Sequence, residues 1–226
     1  MWTDEVPGAT VRCRDVARTY WTESGRVDAL RGVNVDAAAG SVTAVTGPSG
    51  SGKSSLLRIV AGLDEPNHGT VEVAGVRLDA ATRRSRRRFR RSQVGLVHQR
   101  ASDNLISYLT VEEHLYLAAR LRGRGREGIE NLVRAVGLER RLSNRPSQMS
   151  GGEQQRLALA QAVVGNPVVV LADEPTAELD RSSADDLIEL LSSLGARGIA
   201  VLVATHDPYV AAAADRVFRL DHGVVA

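Results

Sequence analysis

Eight residues, Gly47-Pro48-Ser49-Gly50-Ser51-Gly52-Lys53-Ser54, restrict this chain of 226 residues more than any other segment. They follow the short apolar stretch 42–46 and precede 53–61, where Leu56, Leu57 and Val60 recur at helical spacing. The order is therefore strand, glycine-rich turn, helix. In that setting glycines let successive backbone N–H groups converge on an anion at the positive end of a helix. The pattern is that of a polyphosphate-binding loop, in which Lys53 reaches the β and γ phosphates and the Ser54 hydroxyl ligates Mg2+. Ser55 extends the set of candidate nucleotide contacts. A merely flexible glycine turn would need no lysine, no hydroxyl and no flanking elements of the right kind.

The rest of the chain suits such a core. Segments 168–172 and 199–204 are continuous apolar runs, as expected for strands covered on both faces of a mainly parallel sheet, and 182–194 reads as the helix joining them. Segments 11–20 and 27–35 read as an antiparallel pair around Glu23-Ser24-Gly25. Short strands are expected at 70–73 and 94–97, and helices at 111–121, 129–136 and 152–164, so the region from about 100 to 165 looks like a helical insertion. The fold class is α/β. With 43% hydrophobic residues the chain can bury a core, and its length has no room for fused modules. The longest purely apolar run is six residues, whereas a bilayer span needs about 20. Residues 1–9 contain Asp4 and Glu5 without an apolar stretch, so no secretory leader is expected and the default address is cytoplasmic. Cys13 stands alone and is read as a small buried residue.

A second motif follows the run 168–172, where Asp173 and Glu174 stand at the carboxyl end of a strand, the edge at which ligands bind in open α/β sheets. Asp173 would hold the metal and Glu174 would act as general base on the attacking water. A third motif, Ser150-Gly151-Gly152-Glu153, opens a helix and can present a hydroxyl and backbone N–H groups to an anion. On its own it could equally be a helix cap.

With these three motifs in this order, the chain resembles the ATP-binding-cassette (ABC) family from about Tyr20 to Val225. The resemblance implies a P-loop NTPase, RecA-like core with an N-terminal antiparallel β subdomain and an inserted α-helical subdomain. It divides the single domain 1–226 into a core of 10–98 and 157–226 and a helical part of about 99–156. It implies that Tyr20 stacks on adenine, with Trp21 a further candidate. It implies that Gln99 touches Mg2+ and the attacking water, that His206 contacts the γ phosphate, and that Asp180 couples two sites. In the family arrangement Ser150 and Gly152 face a nucleotide bound by another subunit. The implied unit is thus a head-to-tail homodimer bridged by ATP, with ATP and Mg2+ as cofactors. Catalytic Glu174, His206 and Gln99, and metal-holding Ser54, Gln99 and Asp173, complete the expected site.

The stretches 171–176, 104–111 and 205–208 resemble the branch of lipoprotein-release and macrolide-export ATPases, LolD and MacB. That implies a peripheral place on the inner face of the membrane through a separate permease, with 99–117 forming the partner-facing groove. A non-transport ATPase acting on a cell-envelope enzyme through a membrane partner is one alternative, and a soluble ATPase acting on nucleic acid or ribosomes is another. Met149, Ala177, His98 and Ser107 depart from the residues common in the family. Residues 83–91 hold seven arginines and could form a nucleic-acid or anionic-lipid patch, but only one aromatic is interleaved and the net charge is only +2, so the run reads as a solvated helix face and no nucleic-acid partner is expected. His68, His98, His114 and His222 show no ligand spacing, and no stable metal other than Mg2+ is expected.

Overall fold

The computed structural model describes residues 11–23 and 25–225. Ser24 of the expected first turn, and the stretch 1–9 read for a leader, lie outside the described residues. The chain opens with a long hairpin of β1 (Val11–Thr22) and β2 (Gly25–Ala37). It continues through β3 (Val42–Thr46), α1 (Lys53–Val60), β4 (His68–Val73) and β5 (Val76–Arg77). Helix α2 (Arg83–Gln93) runs straight into β6 (Val94–Val97). Three helices follow, α3 (Val111–Leu121), α4 (Ile129–Ala135) and α5 (Gly151–Val163). The remainder alternates as β7 (Val169–Asp173), α6 (Arg181–Ala196), β8 (Ala200–Thr205), α7 (Pro208–Ala212), β9 (Arg216–Asp221) and β10 (Val224–Val225).

Two sheets result. The antiparallel sheet has the order β2-β1-β4-β5, and the larger one the order β10-β9-β3-β8-β7-β6, parallel except for the β9–β10 pair. The two-residue period of the central strands divides the core. Val169, Leu171, Ala200, Leu202 and Ala204 turn toward α1 and the antiparallel sheet, while Val170, Ala172, Val201 and Val203 turn toward residues of α5 and α6. Both faces are dry, which is why these strands read as unbroken apolar runs. Their carboxyl ends converge on one edge, where the strands give way to the glycine loop, Asp173–Glu174 and His206.

The expected elements form within a residue or two of where periodicity places them. Among the described residues, β5, α7, β9 and β10 went unread, as did three short 3-10 turns at 101–103, 139–141 and 146–148. In β9 only Leu220 is buried, and the alternation with Arg216, Arg219 and Asp221 is too weak to mark a strand. The run 83–91 does form a helix, but it is not solvated all round, because Arg86 and Phe89 are buried. An arginine tract takes this form when its apolar stems and one aromatic can be tucked under the helix.

Cys13 is fully buried in the antiparallel sheet, and burial, with the nearby Asp36 carboxylate, pushes its thiol up to about 12. Native protein is expected to resist a thiol reagent at pH 8 on the time scale of minutes, and to react stoichiometrically once unfolded in denaturant. Rapid labelling of the folded chain would contradict this packing.

Candidate active site

A cleft of about 870 Å3 opens at the convergent strand ends. Its walls bring together Tyr20, the loop residues from Pro48 to Ser55 except Ser51, and Gln99, Asp173, Glu174 and His206. Gly47 and Ser51 lie behind this lining. Two loop positions require glycine. A Cβ on Gly47, at φ +150°, would fall 2.0 Å from the Leu220 carbonyl oxygen. One on Gly52, at φ +105°, would fall 2.3 Å from that of Ala29. The loop is thus pressed against β9 and β2. It is braced further by the β9–β10 turn, where the Gly223 N–H donates to the Ser51 carbonyl at 3.0 Å.

Lys53 opens α1 and is only 6% exposed. Its ammonium donates to the carbonyls of Gly47 at 2.8 Å and Pro48 at 3.1 Å, and lies 3.5 Å from the Glu174 carboxylate. Glu174 is held from two more sides. Its Oε2 lies 2.9 Å from His206 Nδ1 and accepts the His206 backbone N–H at 3.2 Å. Its own backbone N–H donates to the Ala204 carbonyl at 2.8 Å, and its φ is +46°, a left-handed conformation rare for a glutamate. Local strain of this kind persists only where the surroundings over-determine it.

Asp173 Oδ1 is buried and has no hydrogen-bond partner. Burial, then the like charge of Glu174, raises the Asp173 carboxyl above its ordinary value, although the Ser54 hydroxyl acts the other way. An unpartnered buried carboxylate oxygen beside a hydroxyl fits an oxygen-seeking divalent cation, so this donor set suits Mg2+. At the far end Tyr20 is clamped. Its hydroxyl donates to Asp64 Oδ2 at 2.7 Å, the other Asp64 oxygen pairs with Arg18 at 2.8 Å, and that guanidinium lies over the ring at 4.7 Å. Trp21 is 81% exposed and does not line the cleft.

Ser150, Gly151, Gly152, Glu153 and Asp180 are not part of this cleft. Ser150 caps α5 in a reciprocal box: its hydroxyl accepts the Glu153 N–H at 3.2 Å and its own N–H donates to the Glu153 carboxylate at 2.9 Å. Asp180 caps α6 through the Ser183 N–H and hydroxyl, both at 3.0 Å. A Cβ on Gly152 would fall 2.6 Å from that Ser183 hydroxyl oxygen, so the two caps touch through one serine. Both motifs therefore form one surface, apart from the cleft.

Sequence reasoning missed Arg26, Asp28, Arg31 and His222 in the cleft wall, since none belongs to a short motif. It also passed over what Gln155 and His114 do. Gln155 of α5 is buried and donates to the His98 carbonyl at 3.0 Å, which ties α5 to the residue before Gln99. His114 is buried, and its Nε2 accepts the Ile106 N–H at 2.8 Å while Nδ1 lies 2.7 Å from the Thr110 carbonyl. That pattern requires the neutral tautomer with the proton on Nδ1.

Burial lowers the His114 imidazole below its ordinary value. Its stabilising contribution is therefore complete above about pH 6.5 and is lost as pH falls toward the lower folded value. Exchange of the Ile106 amide is expected to speed up as pH drops from 7 to 5, beyond the intrinsic trend, and His114→Phe should abolish this pH dependence; hydrogen exchange with mass spectrometry reads both. Asp173→Asn, which removes a buried charge, should leave the metal-free protein at least as thermostable as the parent at pH 7. A large drop in Tm would contradict the orphaned-oxygen reading.

Compared with known proteins, the chain matches the ABC transporter family over residues 30–177. It is 39% identical over 220 residues to the lipoprotein-releasing system ATP-binding protein LolD of Novosphingobium aromaticivorans, covering 95% of this chain and 97% of that protein. It is 37% identical over 216 residues to the macrolide export ATP-binding/permease protein MacB of Escherichia coli K12, covering 94% of this chain but only 33% of that longer protein. Among solved structures it is similar to dimeric MJ0796, a bacterial ABC transporter cassette, with a TM-score of 0.86 and 34% identity over 95% of this chain and 96% of that one. A post-hydrolysis dimer of the same cassette, bound to ADP and Pi, matches equally well.

Proposed function

Since the chain belongs to the ABC transporter family, we propose that it is the ATP-binding and ATP-hydrolysing subunit of a membrane complex whose permease is a separate chain. The observation that carries the reading is the Lys53–Glu174–His206 cluster at the mouth of the glycine loop. Lys53 and the loop N–H groups would take the β and γ phosphates, and the clamped Tyr20 ring would stack on adenine. Ser54 and Asp173, with Gln99 nearby, would hold Mg2+, which when bound supplies positive charge against the phosphate oxygens. Glu174 accepts a proton from water as the water oxygen bonds the γ phosphorus. The bond from that phosphorus to the β–γ bridging oxygen breaks, giving ADP and phosphate. His206 holds the Glu174 carboxylate in place and donates toward the charge developing on the phosphoryl group.

Ser150, Gly151, Gly152, Glu153 and Asp180, on a surface of their own, would complete a site in a second copy. In that arrangement two chains sandwich two ATP molecules head to tail, and hydrolysis releases the contact. The dimeric form of MJ0796 supports this reading. The helical part of about 99–156 would pass closure on to the permease, because Gln155 ties its last helix to the loop bearing Gln99. The near-complete match to LolD, named for lipoprotein release, and the permease named with the ATP-binding part of MacB support an export or lipoprotein-release type of partner. No helix among the described residues is long and apolar enough to cross a membrane. The spanning segments of the complex would then belong to the partner.

Glu174→Gln is expected to cut phosphate release by about 10^2-fold or more while retaining nucleotide binding, and to elute as a dimer with MgATP. Lys53→Ala should weaken binding and turnover together. Steady-state hydrolysis, fluorescent-nucleotide titration and size-exclusion chromatography provide the readouts. Full turnover by Glu174→Gln would remove it as the base, and a monomeric elution under MgATP would remove the sandwich.

A further inference from the structure

The arginine run 83–91 lies outside the cleft, and the fold gives it a specific shape. Helix α2 is capped by Thr82, whose side chain accepts the Ser85 N–H at 3.2 Å, and it has no acidic residue in its first turn. Phe89 is buried, Arg86 is buried against Glu65, and Arg90 donates to the Gly62 carbonyl at 2.8 Å. These three anchor one edge of the helix. At about 100° per residue, Arg83, Arg84, Arg87, Arg88 and Arg91 fall within an arc of about 140° on the opposite side. All five are exposed, and among the described residues none forms an ion pair.

Like charges three and four residues apart destabilise a helix, so this surface is kept at some cost and held by the anchors beneath it. The repulsion reaches inward: burial, then the charges of Arg87 and Arg86, hold the Arg90 guanidinium below its ordinary value. The concentration is local, since the whole chain carries a net charge of only +2. The array is also rigid, about 16 Å long, and leads without a loop into edge strand β6.

We propose that this outer face of α2 is a docking surface for the anionic phosphate headgroups of a membrane. Five guanidiniums spread over one convex face match a plane of mobile phosphates, each gaining modest electrostatic energy. Single-stranded nucleic acid fits less well, because the one aromatic of the helix, Phe89, is buried and cannot stack on bases. The proposal rests on the preceding functional reading only for the nearness of a bilayer. The contact would orient the chain beside its permease independently of nucleotide.

Flotation of the full chain with phosphatidylcholine vesicles, with and without about 30% phosphatidylglycerol, tests it between about 0.05 and 0.3 M KCl. Binding is expected on the anionic vesicles alone and should fall steeply with salt. It should drop by roughly tenfold or more when Arg83, Arg84, Arg87, Arg88 and Arg91 are all changed to Gln. The Gln variant should keep its far-ultraviolet circular dichroism and its MgATP turnover in solution, which separates this surface from the catalytic reading. Equal flotation on neutral vesicles, no flotation on either, or undiminished flotation of the Gln variant would overturn the proposal. So would displacement of more than half the bound protein by duplex DNA at equal phosphate concentration, which would assign the surface to nucleic acid.

Discussion

The architecture turns on one buried cation. The Lys53 ammonium sits at the start of α1, almost out of water, and such a charge is tolerable only if it is surrounded by oxygens. Two come from the glycine loop it belongs to and one from Glu174 at the end of β7, which is held in turn by His206 beyond β8. Three consecutive carboxyl-terminal strand ends are thereby tied to one point. The glycines are needed because the loop must pass within contact of β2 and β9 to deliver the lysine there.

Everything else can be read as support for that point. The central sheet is apolar on both sides, with α1 and the antiparallel sheet on one face and residues of α5 and α6 on the other. Such a sheet resists sliding, because a one-residue slip would exchange its two buried faces. Its ends can therefore hold a strained Glu174 and an unpartnered Asp173 oxygen, features that a looser scaffold would relax. The antiparallel sheet contributes the aromatic end of the cleft, with Tyr20 fixed by Asp64 and Arg18.

The capped starts of α5 and α6 form a second centre. Ser183 joins them, satisfying Asp180 while lying where a side chain on Gly152 would have to go. Two motifs distant in sequence therefore lie on one surface, separate from the cleft of the same chain. That separation is what the proposed two-chain site rests on: under that proposal, a phosphate held by the Lys53 loop would be met by Ser150 of another copy.

Much of this was legible in the chain. The strand, glycine loop and helix were evident because each has its own local signal, and the unbroken apolar runs announced a sheet covered on both faces. The residues gathered around Lys53 were expected, since each stands in a short motif or follows a readable strand. The cleft wall at Arg26, Asp28, Arg31 and His222 was not legible, nor was β9, whose charged alternation hides its pairing with β3. Likewise the roles of His114, Gln155 and Arg86 depend on partners 8, 57 and 21 residues away in sequence. Local pattern thus determined which chemistry the chain carries, because glycine conformation, strand period and helix capping act over a few residues. Tertiary packing alone decided which charges are buried, which are paired, and which face outward, because burial and electrostatic partnership are properties of neighbours in space.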